Sequence, residues 1–235
     1  MITLVPFYIL CLFCLGLSAA PGIALFTAVE HASVDFSPAL RALTLGCALA
    51  SAYLTYGLTL VFVAPAANFA LRCRLKAWRG SYYSAATVKW YVHNGLTYLV
   101  RFTFLDFITP TPLNILFFRM MGMEIGEGVQ INTCFISDPS MISVGDRVTI
   151  GGSATIIGHY GVGGLLILAP VRIGAGATVG LRAIVMGGTE IGANAKILPN
   201  SVLLPKAKIP AGETWGGVPA QKIESRRAPT EPSMV

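Results

Sequence analysis

Histidine is the side chain best matched to proton transfer near neutral pH, and the chain carries three: His31, His93 and His159. His159 has the most suggestive surroundings. It opens the run Gly158-His159-Tyr160-Gly161-Val162-Gly163-Gly164, which interrupts an otherwise regular repeat. Segments that break into a repeat tend to lie on its working face, so the pattern points to general-base chemistry at His159. The plain alternative is a loop histidine that caps backbone groups. The cysteines offer less. Cys11-x-x-Cys14 has the spacing of a redox or zinc pair, but it sits inside an apolar run with no second pair. With Cys47, Cys73 and Cys134 it reads as small buried hydrophobes, and the odd count argues against a disulfide framework.

The elements that must position His159 are written in the aliphatics. From Ile173 an apolar residue returns at every sixth position, at Val179, Val185, Ile191, Ile197, Leu203, Ile209 and Trp215. Neither an α-helix (period 3.6) nor an ordinary strand (period 2) has a period of six. A parallel β-helix with three short faces per coil does. Each face buries one aliphatic. The glycines at Gly174, Gly180, Gly192 and Gly216, with Ala177, Ala183, Thr189, Ala195, Ser201 and Ala207, then let the backbone turn tight corners. The repeat begins less regularly, at Ile125, Ile131, Val144, Ile150 and Ile156. From 131 to 144 is one residue more than two steps, which puts a bulge at Ser137-Asp138-Pro139-Ser140. From 156 to 173 is seventeen residues, which leaves an irregular loop over Gly158–Pro170.

Composition sets the surroundings. Hydrophobic residues make up 54% and charged ones 12%, far from an ordinary soluble chain. Residues 1–29 and Leu43–Leu71 contain no Asp, Glu, Lys or Arg, and each is long enough to span hydrocarbon. Residues 1–71 therefore read as a transmembrane helical hairpin that turns over Glu30–Asp35, with Pro21-Gly22 kinking or ending the first helix. A secretory signal is the rival reading, since Ser18-Ala19-Ala20 resembles a cleavage site, but a basic leading region is missing and the apolar run is too long. The net charge of +6 invites a nucleic-acid partner, but no nucleic-acid motif accompanies it. Arg72, Arg74, Lys76 and Arg79 follow the second helix, where flanking cations mark the cytoplasmic side and favour anionic lipid head groups. Residues 72–121 interleave aromatic and basic side chains and read as amphipathic helices lying at the membrane interface, His93 among them. A third helix over Val88–Phe107 and a short one over Leu113–Met121 flank the breaker Thr109-Pro110-Thr111-Pro112. The β-helix occupies 122–223, and the polar, Pro-rich tail 224–235 reads as disordered.

Gly158-His159, followed after an excursion by Ala169-Pro170-Val171-Arg172-Ile173-Gly174, resembles the hexapeptide-repeat acyltransferases. The ending Trp215-Gly216-Gly217-Val218-Pro219-Ala220-Gln221-Lys222-Ile223 looks like the usual finish of that superfamily. A narrower resemblance covers residues 40–223. It is to the membrane-anchored C-terminal region of peptide synthetases of the ε-poly-lysine type and its stand-alone relatives. Gly80-Ser81-Tyr82-Tyr83, Lys89-Trp90, Thr111-Pro112-Leu113 and Asp138-Pro139 before Val144-Gly145-Asp146 carry it.

What the resemblance implies is an all-β left-handed parallel β-helix behind an α-helical membrane hairpin, assembled as a homotrimer with sites in the clefts between copies. His159 would act as general base on an acceptor hydroxyl or amine, which attacks an acyl thioester while backbone N–H groups hold the oxyanion. Asn132, Asp138 and Tyr160 are the substrate-side candidates, Asp138 and Asn132 either orienting groups or plain turn and bulge residues. Gly180, Leu181, Lys206, Trp215 and Lys222 are the donor-side candidates, for acyl-CoA or a carrier-protein thioester, with no metal. Two departures alter the donor side. Pro199 stands where soluble relatives offer a backbone N–H to coenzyme A, and Pro205 where they place a lysine, with Lys206 one residue later. The implied partners are membrane lipids and an acyl or peptidyl carrier protein or synthetase, and the implied location is the bacterial inner membrane, multi-pass, with the β-helix in the cytoplasm. Two other classes compete. One is a non-catalytic trimeric scaffold. The other is a hydratase of the γ-carbonic-anhydrase type, which needs about three histidines around zinc, whereas the β-helix has His159 alone.

Overall fold

The computed structural model describes residues 4–224; the tail beyond Glu224, expected to be disordered, lies outside them. Two helices lead, α1 (Leu4–Ala32) and α2 (Pro38–Ala70). Both are long and apolar enough to cross a membrane by length and composition. They lie side by side, and at Gly22 a Cβ would stand 2.6 Å from the Ala52 carbonyl oxygen. Close approach of this kind is what small residues allow between apolar helices. The first helix does not end at Pro21-Gly22: α1 runs through Pro21 to Ala32.

The segment after α2, expected to form amphipathic helices, holds a strand as well as helices. Trp78–Ser81 is a strand, and α3 (Val88–Val100), extended by a π-helical turn over Arg101–Leu105, buries His93, Asn94, Leu96, Thr97 and Val100. α3 is therefore a partly buried wall, in the place of the third helix expected over Val88–Phe107. α4 (Pro112–Met120) starts at a Thr111 cap whose hydroxyl accepts from Leu113 N–H. Its Phe117 and Phe118 are fully buried. Its polar groups close the open end of the β-helix: Asn114 Nδ2 donates to Ile131 O at 2.8 Å, and Arg119 donates to Ile125 O and Gly126 O. Unpaired carbonyls at a sheet edge are thereby satisfied.

The β-helix follows with three parallel sheets, one per face. One face stacks Glu124–Ile125, Ile142–Val144, Val171–Ile173, Glu190–Ile191 and Lys208–Ile209. A second stacks Gln130–Ile131, Thr149–Ile150, Thr178–Val179, Lys196–Ile197 and Thr214–Gly217, closed by an antiparallel Ala220–Lys222. The third stacks Ile136–Ser137, Thr155–Ile157, Ile184–Val185 and Val202–Leu203. The sixfold aliphatics point inward: Val179, Val185, Ile191, Ile197, Leu203 and Ile209 are all buried, as are Ala177, Ala183, Thr189, Ala195 and Ser201 behind them.

The corner glycines turn out to serve a different purpose from the one expected. Gly174, Gly180 and Gly192 are absent from the positive-φ positions, which fall two residues later at Gly176, Arg182 and Asn194, and likewise at Gly188, Asn200, Lys206 and Gly212. The earlier glycines are needed because the next coil lies too close. A Cβ on Gly180 would stand 2.5 Å from Pro199 N.

The loop over 158–170 is not irregular. It is a β-hairpin of His159–Val162 and Leu165–Leu168. Gly163 and Gly164 both have positive φ at its tip, as a two-residue hairpin turn demands. Trp78–Ser81 pairs antiparallel with Leu165–Leu168 and makes a third strand. That partner comes from beyond two helices, so no local pattern could announce it.

Candidate active site

The bulge at 137–140 creates the first half of the site. After Ile136–Ser137, Asp138 takes a left-handed conformation (φ 59°, ψ 51°), and Pro139 then starts a single turn to Met141. Residues in this region of φ/ψ space carry about 1–2 kcal/mol of strain and persist where their surroundings over-determine them. α3 supplies those surroundings. Trp90 Nε1–H donates to Asp138 Oδ1 at 2.8 Å and Asn94 Nδ2–H donates to the same oxygen at 2.6 Å. Asp138 N–H in turn donates to Asn94 Oδ1 at 3.0 Å. Trp90 and Asn94 are one helical turn apart and so share a face. Together they hold a carboxylate that is fully buried.

The second half lies one coil further. Thr155–Ile157 pairs in parallel with Ile136–Ser137, Ser137 opposite Ile157, so the chain leaves the sheet directly over Asp138. Gly158 makes the exit possible: a Cβ there would stand 2.7 Å from Met141 Cβ and 2.9 Å from Asp138 Cβ. The next residue is His159, whose Nδ1 lies 2.5 Å from Asp138 Oδ2. A carboxylate has only acceptors, so Nδ1 carries the hydrogen and the Nε2 lone pair is left available. The Trp90 indole meets the imidazole edge-on at 5.1 Å and 80°, which fixes the ring plane. The side chain remains 21% exposed. Among the described residues no serine, threonine or cysteine hydrogen-bonds His159, so the arrangement is that of an oriented base without a protein nucleophile beside it.

The remaining candidates divide. Lys206 lies on the same corner as His159, two coils along. Its N–H donates to Gly187 O at 3.0 Å, and a Cβ on Gly187 would stand 3.0 Å from the His159 backbone. Its left-handed φ of 64° is shared by the equivalent corner residues and says nothing about function. Tyr160 follows His159 in the same strand, and alternation sends its side chain to the opposite face. Asn132 is exposed on a different corner and makes no hydrogen bond to the His159–Asp138 pair. Gly180 and Leu181 share that other corner, with Leu181 exposed. Trp215 and Lys222 stand at the end of the β-helix, joined through Glu213, which accepts from Trp215 Nε1–H at 2.9 Å and from Lys222 Nζ at 2.6 Å. That pairing holds the Glu213 carboxyl below and the Lys222 ammonium above their ordinary ranges.

His93, expected at the membrane interface, is buried. Its Nδ1 meets Asn68 Oδ1 at 2.9 Å and its Nε2 faces Ser140 Oγ at 3.4 Å. Burial pushes its pKa down to about 4, against the smaller opposing pull of Asp138. The residues that sequence reasoning missed are Trp90 and Asn94. Their signal was a set of polar residues, His93, Asn94 and Thr97, one and two turns after a tryptophan on the same helix.

Residues 170–205 match the family model described as the hexapeptide repeat of succinyl-transferase, so the six-residue period is the hexapeptide repeat. The chain is 26% identical over 117 residues to the delta-poly-L-ornithine synthetase of Acinetobacter baumannii. That match takes in 50% of this chain but 9% of the relative. Among solved structures, a hexapeptide-repeat acetyltransferase from Vibrio cholerae complexed with acetyl coenzyme A superimposes with a TM-score of 0.50 at 20% identity, over 67% of this chain and 98% of that one. The acetyltransferase domain of PglB from Neisseria gonorrhoeae matches at 23% identity with a TM-score of 0.35, over 43% of each chain. The chain thus spans less than half of either first relative. The Vibrio likeness establishes the fold, the three-sided parallel β-helix.

Proposed function

We propose that the chain is an acyltransferase of the left-handed β-helix type, anchored in a membrane by α1 and α2, with His159 as general base and Asp138 as the residue that orients it. The observation that carries this reading is the 2.5 Å contact between His159 Nδ1 and the buried Asp138 carboxylate. Nε2 takes the proton of an acceptor hydroxyl or amine as its oxygen or nitrogen attacks the thioester carbonyl. The tetrahedral adduct collapses with cleavage of the C–S bond, and the imidazolium returns its proton to the departing sulfur. Asp138 holds the tautomer and offsets the charge of the imidazolium, the role of the carboxylate in other oriented-histidine sites. Direct transfer suits a site with no protein nucleophile beside the base.

Acyl-CoA is the donor we assign, since the hexapeptide-repeat acetyltransferase from Vibrio cholerae binds acetyl coenzyme A. Lys206, exposed on the corner of His159, would meet its phosphates. A carrier-protein thioester is the other donor of the same chemistry. Copies are read as a trimer that faces the cytoplasm with Arg72, Arg74, Lys76 and Arg79 at the membrane surface.

Membranes carrying the chain, supplied with acetyl-CoA and pooled amine or hydroxyl acceptors, should release free thiol in an acceptor-dependent way. Absence of thiol release from both CoA and carrier-protein thioesters would favour the scaffold reading instead.

A further inference from the structure

A groove of about 730 Å³ opens where α2 ends, walled by the segment after it and by α3 and α4. Its lining contains five cations, Arg72, Arg74, Lys76, Lys89 and Arg119, and no Asp or Glu. Two of the five are engaged. Arg74 lies 3.6 Å from Glu124, and Arg119 donates to the Ile125 and Gly126 carbonyls. Arg72, Lys76 and Lys89 are exposed, and among the described residues none has a carboxylate within ion-pair distance. Like charges gathered in a concave site without partners raise the local potential, and the natural complement is a compact polyanion.

Two further observations say which polyanion. Phe69, in the same lining, is 84% exposed at the last turn of the apolar helix α2. Leu71 beside it is 48% exposed. An apolar surface ending directly at a ring of cations matches an amphiphile whose tail lies along α2 and whose charged head enters the groove. The groove also borders the catalytic pair. Trp90 lines it while donating to Asp138. Leu168, also in the lining, pairs with Trp78 on one side and His159 on the other, so the His159 backbone is one strand spacing beyond that of Leu168, about 5 Å.

We infer that this groove holds the phosphate or diphosphate head group of an acceptor that stands in the membrane, with its acyl-accepting group turned past Trp90 toward His159. The inference rests on the acyl-transfer reading above and names its acceptor class: a phosphate-bearing lipid or lipid-linked molecule. Coenzyme A carries the same phosphate chemistry but no apolar tail for Phe69 and α2.

The test uses the full-length chain in phosphatidylcholine nanodiscs, titrated with inorganic pyrophosphate by calorimetry. Wild type should bind, and Lys76→Gln with Lys89→Gln should weaken binding about tenfold per cation removed. The two single variants should each show half of that effect on a logarithmic scale, which guards against a misfolded double variant. His159→Ala should bind pyrophosphate as wild type does, so that failure of the groove and failure of the catalytic reading are separate results. Phosphatidic acid included in the nanodisc should compete with pyrophosphate, and coenzyme A should not. Absent pyrophosphate binding, or binding unchanged in the double variant, overturns the inference. Displacement by coenzyme A that disappears in the double variant assigns the groove to the donor and overturns it as well.

Discussion

At the scale of single residues, the candidate site is a buried carboxylate hydrogen-bonded to an imidazole that is mostly buried, and each part has a distinguishable failure. Asp138→Asn keeps the shape but presents an amide N–H or carbonyl where a carboxylate accepted, so the His159 tautomer is no longer set; kcat should fall by about 10²–10⁴. Trp90→Phe keeps an aromatic edge against His159 and deletes one donor to Asp138. Hydrogen bonds to charged groups are worth about 1.5–3 kcal/mol of stability, so the melting temperature should fall by several degrees and steady-state kinetics should show kcat lowered. An unchanged kcat in both variants would reduce Asp138 to a bulge residue. His93 makes a second, independent prediction, about stability. Its folded pKa, about 4, lies below the ordinary 6.5, so the unfolded chain takes up a proton first as pH falls. The stability this neutral histidine confers is complete above pH 6.5 and is lost as pH falls through about 4, by about 3 kcal/mol in all. Unfolding measured across that window should show the loss, and His93→Gln should flatten it. His159 was legible in the sequence because it breaks a repeat. Asn94 was not, because one polar residue among several on α3 carries no label for the carboxylate that will meet it from forty-four positions away.

At the scale of elements, the fold divides between what a period can announce and what it cannot. A period of six needs only local information, so the three-sided coil and its inward Val179, Val185 and Ile191 could be read directly. The hairpin over 159–168 could not, because its third strand comes from Trp78–Ser81 and long-range pairing leaves no trace in either segment alone. The helix over Val88–Val100 could be read, but not its packing against the bulge at Asp138, because its buried face carries His93, Asn94 and Thr97 and does not look apolar. The two kinds of corner glycine are separable by mutation. Gly180→Ala would drive a Cβ to 2.5 Å from Pro199 N; backbone yields poorly, and overpacking of this kind costs about 1–3 kcal/mol. Gly163 has open space around its Cβ but a φ of +54°, so Gly163→Ala should cost about 1 kcal/mol or more and Gly163→Asn, which tolerates that conformation, distinctly less. Thermal melts of the three variants should follow that order. Equal melting of Gly180→Ala and wild type would mean the coils are further apart than described here.

At the scale of the whole molecule, the arrangement brings an apolar hairpin, a basic groove and a solenoid corner into one line. If α1 and α2 cross a membrane, the exposed side chains along α1, among them Leu12 at 69% and Phe13 at 65%, face lipid and need no other partner. A reporter joined after residue 235 should then be active only in its cytoplasmic form, and native mass spectrometry in detergent should find three copies. A monomer, or periplasmic reporter activity, would remove the trimer cleft or reverse the topology. One comparison tests the proposed reaction most directly: acyl transfer by wild type and by His159→Ala, each preparation also assessed for assembly and melting temperature. His159 lies outside the aliphatic rungs of the core, so its loss should leave assembly and melting nearly intact while transfer falls by about 10²–10⁴. Normal turnover by the variant would contradict the account, and failure to assemble would show that His159 holds the hairpin rather than the proton.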